Sequence, residues 1–324
     1  MPRTVAVVRL LIALLLAYVS ACSHAQDYPV RPLRLLTLFA AGSQSDLAAR
    51  FAAQKLSEQL GQTVVVESKG GAGGLLAIRD VLRSQPVGYS LLFGQPGLVG
   101  NLHAFKDPQY RLEDFVVTGV MGVTFYALIV NAPASVRNVP EFVAYARANP
   151  GKLNYGSIGP STGSTILAER FKQAAGIDIV MVPFKGGDPV SQALLAGDIH
   201  AYFATLNVAR TRMRSPQIRG LAVTAEQRSQ ILPDLPTFRE LGYPNVVLSS
   251  WTGVFAPAVA PAAIIQRLKE AMARVSASPE TKAQLLKQEI EPWSGTLEQF
   301  SAYIKAEGDA IGADFKRLNI PVLD

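Results

Sequence analysis

Short apolar runs alternate along the chain with longer stretches in which apolar residues recur near 3.6-residue spacing, the signature of strands followed by amphipathic helices. Leu33 to Phe39 reads as a buried strand. The small polar loop Ala40 to Ser45 leads into a helix carrying Leu47, Phe51, Leu56 and Leu60, with Gly61 as its stop. Thr63 to Glu67 is a β-branched strand. Gly70-Gly71-Ala72-Gly73-Gly74 then opens a helix predicted to about Ser84, and Tyr89 to Phe93 repeats the strand signal before Gly94-Gln95-Pro96-Gly97.

A second series follows. Phe125 to Val130 reads as a strand ending at Asn131-Ala132-Pro133, Pro140 to Ala148 as a helix, and Asn154 to Ile158 as a short strand. A Gly/Ser loop at Gly159 to Ser164 precedes a helix to about Ala175. Strand Ile179 to Phe184, a glycine loop, helix Val190 to Ala196 and strand His200 to Thr205 come next. Leu221 to Thr224 adds a strand, and Val246 to Phe255 is a long extended segment. The end is helical: Ala262 to Ser276, Pro279 to Gln288 and Leu297 to Arg317.

Alternating β and α elements predict an α/β class with parallel strands. The helical C-terminal stretch has too few strands for a third unit, so the second unit is expected to be inserted into the first. Residues 26–130 plus 251–324 would form one domain and 131–250 the other, joined by crossovers near Val130 and Ser250. That arrangement makes a hinge and a cleft where loops after several strands converge.

The first residues change the setting. Arg3 and Arg9 precede an apolar run from Leu10 to Val19, too short to span a bilayer, ending in Ala21-Cys22-Ser23-His24-Ala25-Gln26. Residues 1–25 therefore read as a secretory signal. Two processing routes stand open: cleavage after Ala25, or a lipoprotein signal at Val19-Ser20-Ala21-Cys22 that would leave an acylated Cys22. Either way the mature protein is expected outside the cytoplasm, in the periplasm, where nicotinamide cofactors and ATP are scarce. No cofactor is expected.

Cys22 is the only cysteine, so no intramolecular disulfide can form and burial must supply stability. The 324 residues are 49% hydrophobic, enough for two ordinary cores. Removing the first 25 residues takes Arg3 and Arg9 from a formal charge of +6 and leaves +4, spread without a charge block or basic-aromatic interleaving. Nucleic acid is not an expected partner. The mature chain keeps only His103 and His200, far apart, and no D-x-D-x-D-G run, so no metal is expected.

Four Gly- or Ser-rich loops each follow a strand and open a helix: Ala40 to Asp46, Gly70 to Gly74, Gly159 to Ser164, and Gly186-Gly187-Asp188. Helix N-termini present unpaired N–H groups and a partial positive charge, which favour carboxylates or phosphates. The plain alternative is capping: Ser43 with Asp46 resembles a capping box, and Asp188 before Pro189 an N-cap before a first-turn proline.

Several segments together resemble one family. They are Tyr28-Pro29-Val30-Arg31-Pro32; Phe39-Ala40-Ala41-Gly42 with Asp46; Val66-Glu67 with Gly71-Ala72-Gly73-Gly74; Gly88-Tyr89; and Asn154-Tyr155-Gly156-Ser157 with Gly159. Val182 to Gly187, Leu221-Ala222-Val223-Thr224 with Arg228, Leu232 to Thr237, Ser249 to Gly253 and Phe255-Ala256-Pro257 continue the match. In order and spacing they look like the substrate-binding proteins of tripartite tricarboxylate transporters, the Bug-type proteins. The resemblance implies a two-domain, type II Venus-flytrap periplasmic binding protein. It would close over a small carboxylate or related organic acid and deliver it to membrane transporter subunits, as a monomer and without catalysis. Carried over by motif, the ligand-binding candidates are Phe39, Ala40, Ala41, Gly42, Ser43 and Asp46 in the first domain. In the second they are Ser157, Gly159, Ser161, Thr162, Ser164, Gly187 and Asp188. The chain departs from the family pattern at Leu38 and Gly42-Ser43, where Pro and a Gly-Gly pair are usual, and at Gly70 and Val87.

Two other readings remain. Gly159-Pro160-Ser161-Thr162-Gly163 is a literal G-x-S-x-G, followed by Asp188 and His200 in the order of an α/β-hydrolase triad with Ser161 as nucleophile. An extracytoplasmic sensor signalling through a membrane receptor kinase would bind the same ligand. Trp251, on the return segment, either lines the cleft or packs in the core.

Overall fold

The structure is a computed structural model and describes residues 28–324 apart from 40, 43 and 134. Expectations for the signal segment and Cys22 lie outside the described residues. Chain order is β1 (Leu33–Thr37), α1 (Gln44–Leu60), β2 (Val64–Ser68), α2 (Leu75–Arg83), β3 (Ser90–Gly94), α3 (Gly97–Ala104) and β4 (Phe115–Asn131). Next come α4 (Val139–Ala148), β5 (Leu153–Ser157), α5 (Gly163–Ala175), β6 (Ile179–Pro183), α6 (Gly187–Ala196), β7 (Ala201–Thr205), α7 (Leu206–Arg212) and β8 (Ile218–Val223). The chain closes with β9 (Ser249–Pro257), α8 (Ala262–Ala277), α9 (Pro279–Lys287), β10 (Glu291–Pro292) and α10 (Leu297–Arg317). No helix among the described residues is long and apolar enough to cross a membrane.

The strands run in the order β2-β1-β3-β9-β4-β7-β5-β6, with β8 and β10 also paired to β4. β1 is parallel to β2 and β3, and β5 is parallel to β6 and β7, so helical crossovers are required within each half. The 17-residue β4 joins the halves. Its residues 115–125 pair antiparallel with β9, whereas Tyr126–Val130 pair with β7 and Ala127–Asn131 with β8. The change of partner thus falls between Phe125 and Tyr126, so residues 126–130, expected with the first unit, sit in the second sheet half. The result is the two-domain periplasmic-binding-protein architecture.

Both faces of each half are covered, which is why strand residues read as continuous apolar runs rather than an alternation. Leu33, Leu35, Leu91 and Phe93 pack under α1 and α8, while Leu36 and Leu92 face the opposite cluster. In the second half Ala127 and Ile129 pack with Val190 and Leu194, and Leu128 and Val130 join the other face. Phe171, Phe238 and Tyr243 form an edge-to-face group, with Phe171–Phe238 centroids 5.2 Å apart. Trp251 belongs to the core: it is fully buried, lies edge-on to Phe300, and its Nε1 donates to Glu307 Oε2 at 2.5 Å.

Candidate ligand-binding cleft

The first wall forms after β1. The Thr37 hydroxyl donates to the Phe39 carbonyl at 3.1 Å, and the Phe39 ring is half-buried against the core. Ala41 and Gly42 are exposed. Gly42 has φ +78°, a left-handed conformation that glycine adopts without steric cost, and its N–H donates to Asp46 Oδ2 at 2.9 Å. Asp46 is buried and also accepts from Arg50 Nε at 2.9 Å and Ser68 Oγ at 2.6 Å. Burial alone would raise its pKa, but these donors outweigh it and hold the carboxyl below the usual carboxylate range. Asp46 is therefore a brace for the loop. Ala40 and Ser43 lie outside the described residues.

Two turns outside the carried-over ligand candidates complete this wall. The Ser45 hydroxyl donates to Gln95 Oε1 at 2.8 Å, tying the start of α1 to the turn after β3. Asn101 of α3 donates from Nδ2 to the Gly73 carbonyl at 2.9 Å. Gly74, at φ +94°, lies against Leu38: a Cβ there would sit 2.6 Å from the Leu38 Cβ, so the glycine turn closes directly over β1.

The second wall is a hydroxyl network. Ser157, at the end of β5, shares a 2.6 Å hydrogen bond with Thr165, and its Oγ accepts from the Gly159 N–H at 3.2 Å. The Gly159 carbonyl accepts from the Thr162 hydroxyl at 2.7 Å and the Thr165 hydroxyl at 2.8 Å. Thr162 is the N-cap of α5, and the Ser164 hydroxyl lies 3.1 Å from its Oγ1. This side-chain web shapes the loop so that the first N–H groups of α5 stay clear of it. In α6 the N-cap is Gly186, at φ +114°, so the helix starts at Gly187 and Asp188 sits within its first turn, where it was expected as the cap. Pro189 fits one position further in because a first-turn N–H has no intrahelical acceptor to lose.

Ser161, among the described candidates, is placed directly against the opposite half. It is 3% exposed, and a Cβ on Gly100 would lie 2.6 Å from its carbonyl oxygen. Tyr126, at the switch in β4, turns its hydroxyl toward Gly163 at the start of α5: a Cβ there would be 2.5 Å away. Burial pushes the pKa of this hydroxyl up to about 12, against a lowering influence from Ser250 on the return strand. The Tyr202 hydroxyl lies 3.9 Å from the corresponding position on Gly187, and burial raises its pKa too. Both phenols stay neutral donors at physiological pH. Tyr126 and Tyr202 escaped the sequence reading because they sit on apolar strands, where an aromatic looks like core.

The hydrolase constellation does not assemble. His200 Nδ1 accepts from the Asn154 N–H at 3.0 Å, at the amino end of β5, and burial lowers the imidazole pKa. Ser161 follows the carboxyl end of that strand, to which β7 is parallel, so the two residues lie at opposite ends of the sheet. Asp188 is exposed. Among the described residues no three His, Cys, Asp or Glu side chains are grouped to hold a metal ion.

A family model described as the tripartite tricarboxylate transporter family receptor matches residues 48–320. Protein BugT of Bordetella pertussis is 31% identical over 326 residues, covering 94% of this chain and 99% of BugT. Among solved structures, R. palustris Rpa4515 with adipate superposes with a TM-score of 0.83 at 29% identity, covering 92% of this chain and 100% of that one. The periplasmic binding protein BugD gives a TM-score of 0.82 at 28% identity over 91% of this chain and 100% of its own.

Proposed function

Because the chain belongs to the tripartite tricarboxylate transporter receptor family, we propose that it captures a small organic carboxylate between its two sheet halves, outside the cytoplasm, and hands it to membrane transporter subunits. Binding proceeds without turnover. The observation that carries this reading is the approach of glycine-rich turns from both halves, with Ser161 seated on Gly100 and with α5 and α6 both starting beside neutral tyrosine hydroxyls. Helix N-termini and hydroxyls suit a carboxylate because they donate hydrogen bonds and partial positive charge without a competing counter-ion. Gly42, Ser157, Gly159, Thr162, Ser164 and Gly187 are assigned to the ligand-facing turns, and Asp46 to bracing the first of them. The hinge is assigned to the steps 125–126 and 248–249, where the paired strands β4 and β9 leave one another.

The adipate recorded with the R. palustris neighbour sets the start of the screen. Purified protein, unfolded and refolded to strip ligand carried through purification, is heated with C4 to C8 dicarboxylates, citrate, acidic amino acids and aromatic acids. Ligand at about 100 times its dissociation constant adds roughly 2.7 kcal/mol, a readily measured shift in melting temperature. A selective acid confirmed by calorimetry is the expected result, and no response to any acid overturns the carboxylate assignment.

A further inference from the structure

Ser161 and Asn101 approach one point from opposite halves of the molecule. A Cβ placed on Gly73 would lie 2.8 Å from Asn101 Oδ1 and 3.4 Å from Ser161 Oγ. Asn101 is fully buried, and the bond from its Nδ2 to the Gly73 carbonyl fixes which way the amide points. Its Oδ1 is left buried without a hydrogen-bond partner. Such an acceptor is unusual in a folded protein and calls for a donor. Ser161 brings a hydroxyl to the same spot on a side chain with a single heavy-atom torsion. The backbone leaves room for it to arrive: at Gly100 a Cβ would meet the Ser161 carbonyl oxygen at 2.6 Å and its Cβ at 3.0 Å, and at Gly73 it would fill the gap itself.

We propose that Ser161 and Asn101 form the clasp of the cleft: rotation about the one Ser161 side-chain torsion turns its hydroxyl onto the unpartnered Asn101 Oδ1 and holds the halves together even before a ligand is bound. Asn101 is then a positioning residue, and Gly73 and Gly100 are the bed that lets the loop reach it. Ser161 serves closure, neither as a nucleophile nor as a principal ligand donor. The proposal rests on the two-lobe capture reading, but its test uses no ligand, so its failure is distinct from a failed carboxylate screen.

The test compares the ligand-free full chain with its Ser161→Ala variant by NMR. Loss of the hydroxyl is expected to shift the side-chain amide resonances of Asn101 and to speed hydrogen exchange at that amide at least tenfold, while the dispersed backbone resonances elsewhere report that the variant is folded. Asn101 resonances coincident with the parent's, or exchange no faster than in the parent, overturn the clasp.

Discussion

Arg170 Nε donates to Asp314 Oδ2 at 2.7 Å, and the two side chains are only 10% and 7% exposed. Arg170 Nη1 also donates to the Val247 carbonyl at 2.6 Å, and Asp314 accepts from Arg317 at 2.7 Å. One guanidinium thus ties α5 of the second half to α10 and to the chain just before β9. Breaking such a pair on one side leaves a buried charge uncompensated, which typically costs about 3–5 kcal/mol. Asp314→Asn is expected to lower unfolding stability in urea by about 3 kcal/mol. Arg170→Met with Asp314→Leu is expected to recover most of that loss, because the charge and its partner leave together.

Glu307 carries a pH dependence of the opposite sign to ordinary acid denaturation. Burial pushes its pKa from 4.5 up to about 7, against the lowering influence of the Trp251 indole and of Arg170. Tyr126 and Tyr303 face the same carboxyl. Below about pH 4.5 the group is protonated in both folded and unfolded chains. Between that value and about pH 7 only the folded chain keeps the proton, so this group's contribution falls as pH rises, by of order 3 kcal/mol in all. Glu307→Gln removes the ionisation. The variant is expected to gain stability relative to the parent at pH 8 and to lose that advantage at pH 4.5, as urea midpoints at the two pH values will show.

Asp46 works in the conventional direction. Its carboxyl is held below the usual range by Ser68, Arg50 and Gly42, so its contribution is fully present above pH 3.8 and is lost as pH falls through the lowered folded value. Asp46→Asn retains one acceptor oxygen where the carboxylate offers two. An expected loss of about 2 kcal/mol at pH 6 follows from hydrogen bonds to a charged group. That difference should shrink in strong acid, where the parent carboxyl is itself protonated. A constant difference down to pH 2 would count against the brace.

Where the sequence misled, close packing explains it. The strand predicted over Phe125 to Val130 is the last third of β4, whose earlier β-branched run is interrupted by Gly119 and Gly122. Those glycines exist because a Cβ would meet Met272 at 2.3 Å and the Glu291 carbonyl at 2.4 Å, and the β4–β9 register shifts beside both. Helix α3 was hidden in the same way by Gly97 and Gly100, which accommodate Gly73 and Ser161. By contrast α5, α8 and α10 were legible almost to the residue, since apolar spacing alone specifies a helix with one buried face. The loops of the cleft were legible as loops, while the side chains that reach them from strands and from α3 needed the topology to be recognised.

Gly156 shows how that packing bears on the site. It is a buried residue of β5, and a Cβ there would lie 2.0 Å from Val190 Cγ2 and 2.8 Å from Ile199 Cδ1. Val190 is in the first turns of α6, so the missing Cβ is what lets that helix settle on the strand and set Gly187 beside Tyr202. Gly156→Ala must push α6 outward, and overpacking of this kind costs about 1–3 kcal/mol. Displacement of the helix start also predicts weaker binding of whatever acid the screen identifies. Val190→Ala alone is destabilising through the cavity it leaves, yet combined with Gly156→Ala it removes the closer of the two collisions and leaves only the flexible end of Ile199 to shift. The double variant should therefore be at least 1 kcal/mol more stable than the two single losses predict by addition. Strict additivity in urea unfolding would show that Val190 is not what Gly156 accommodates.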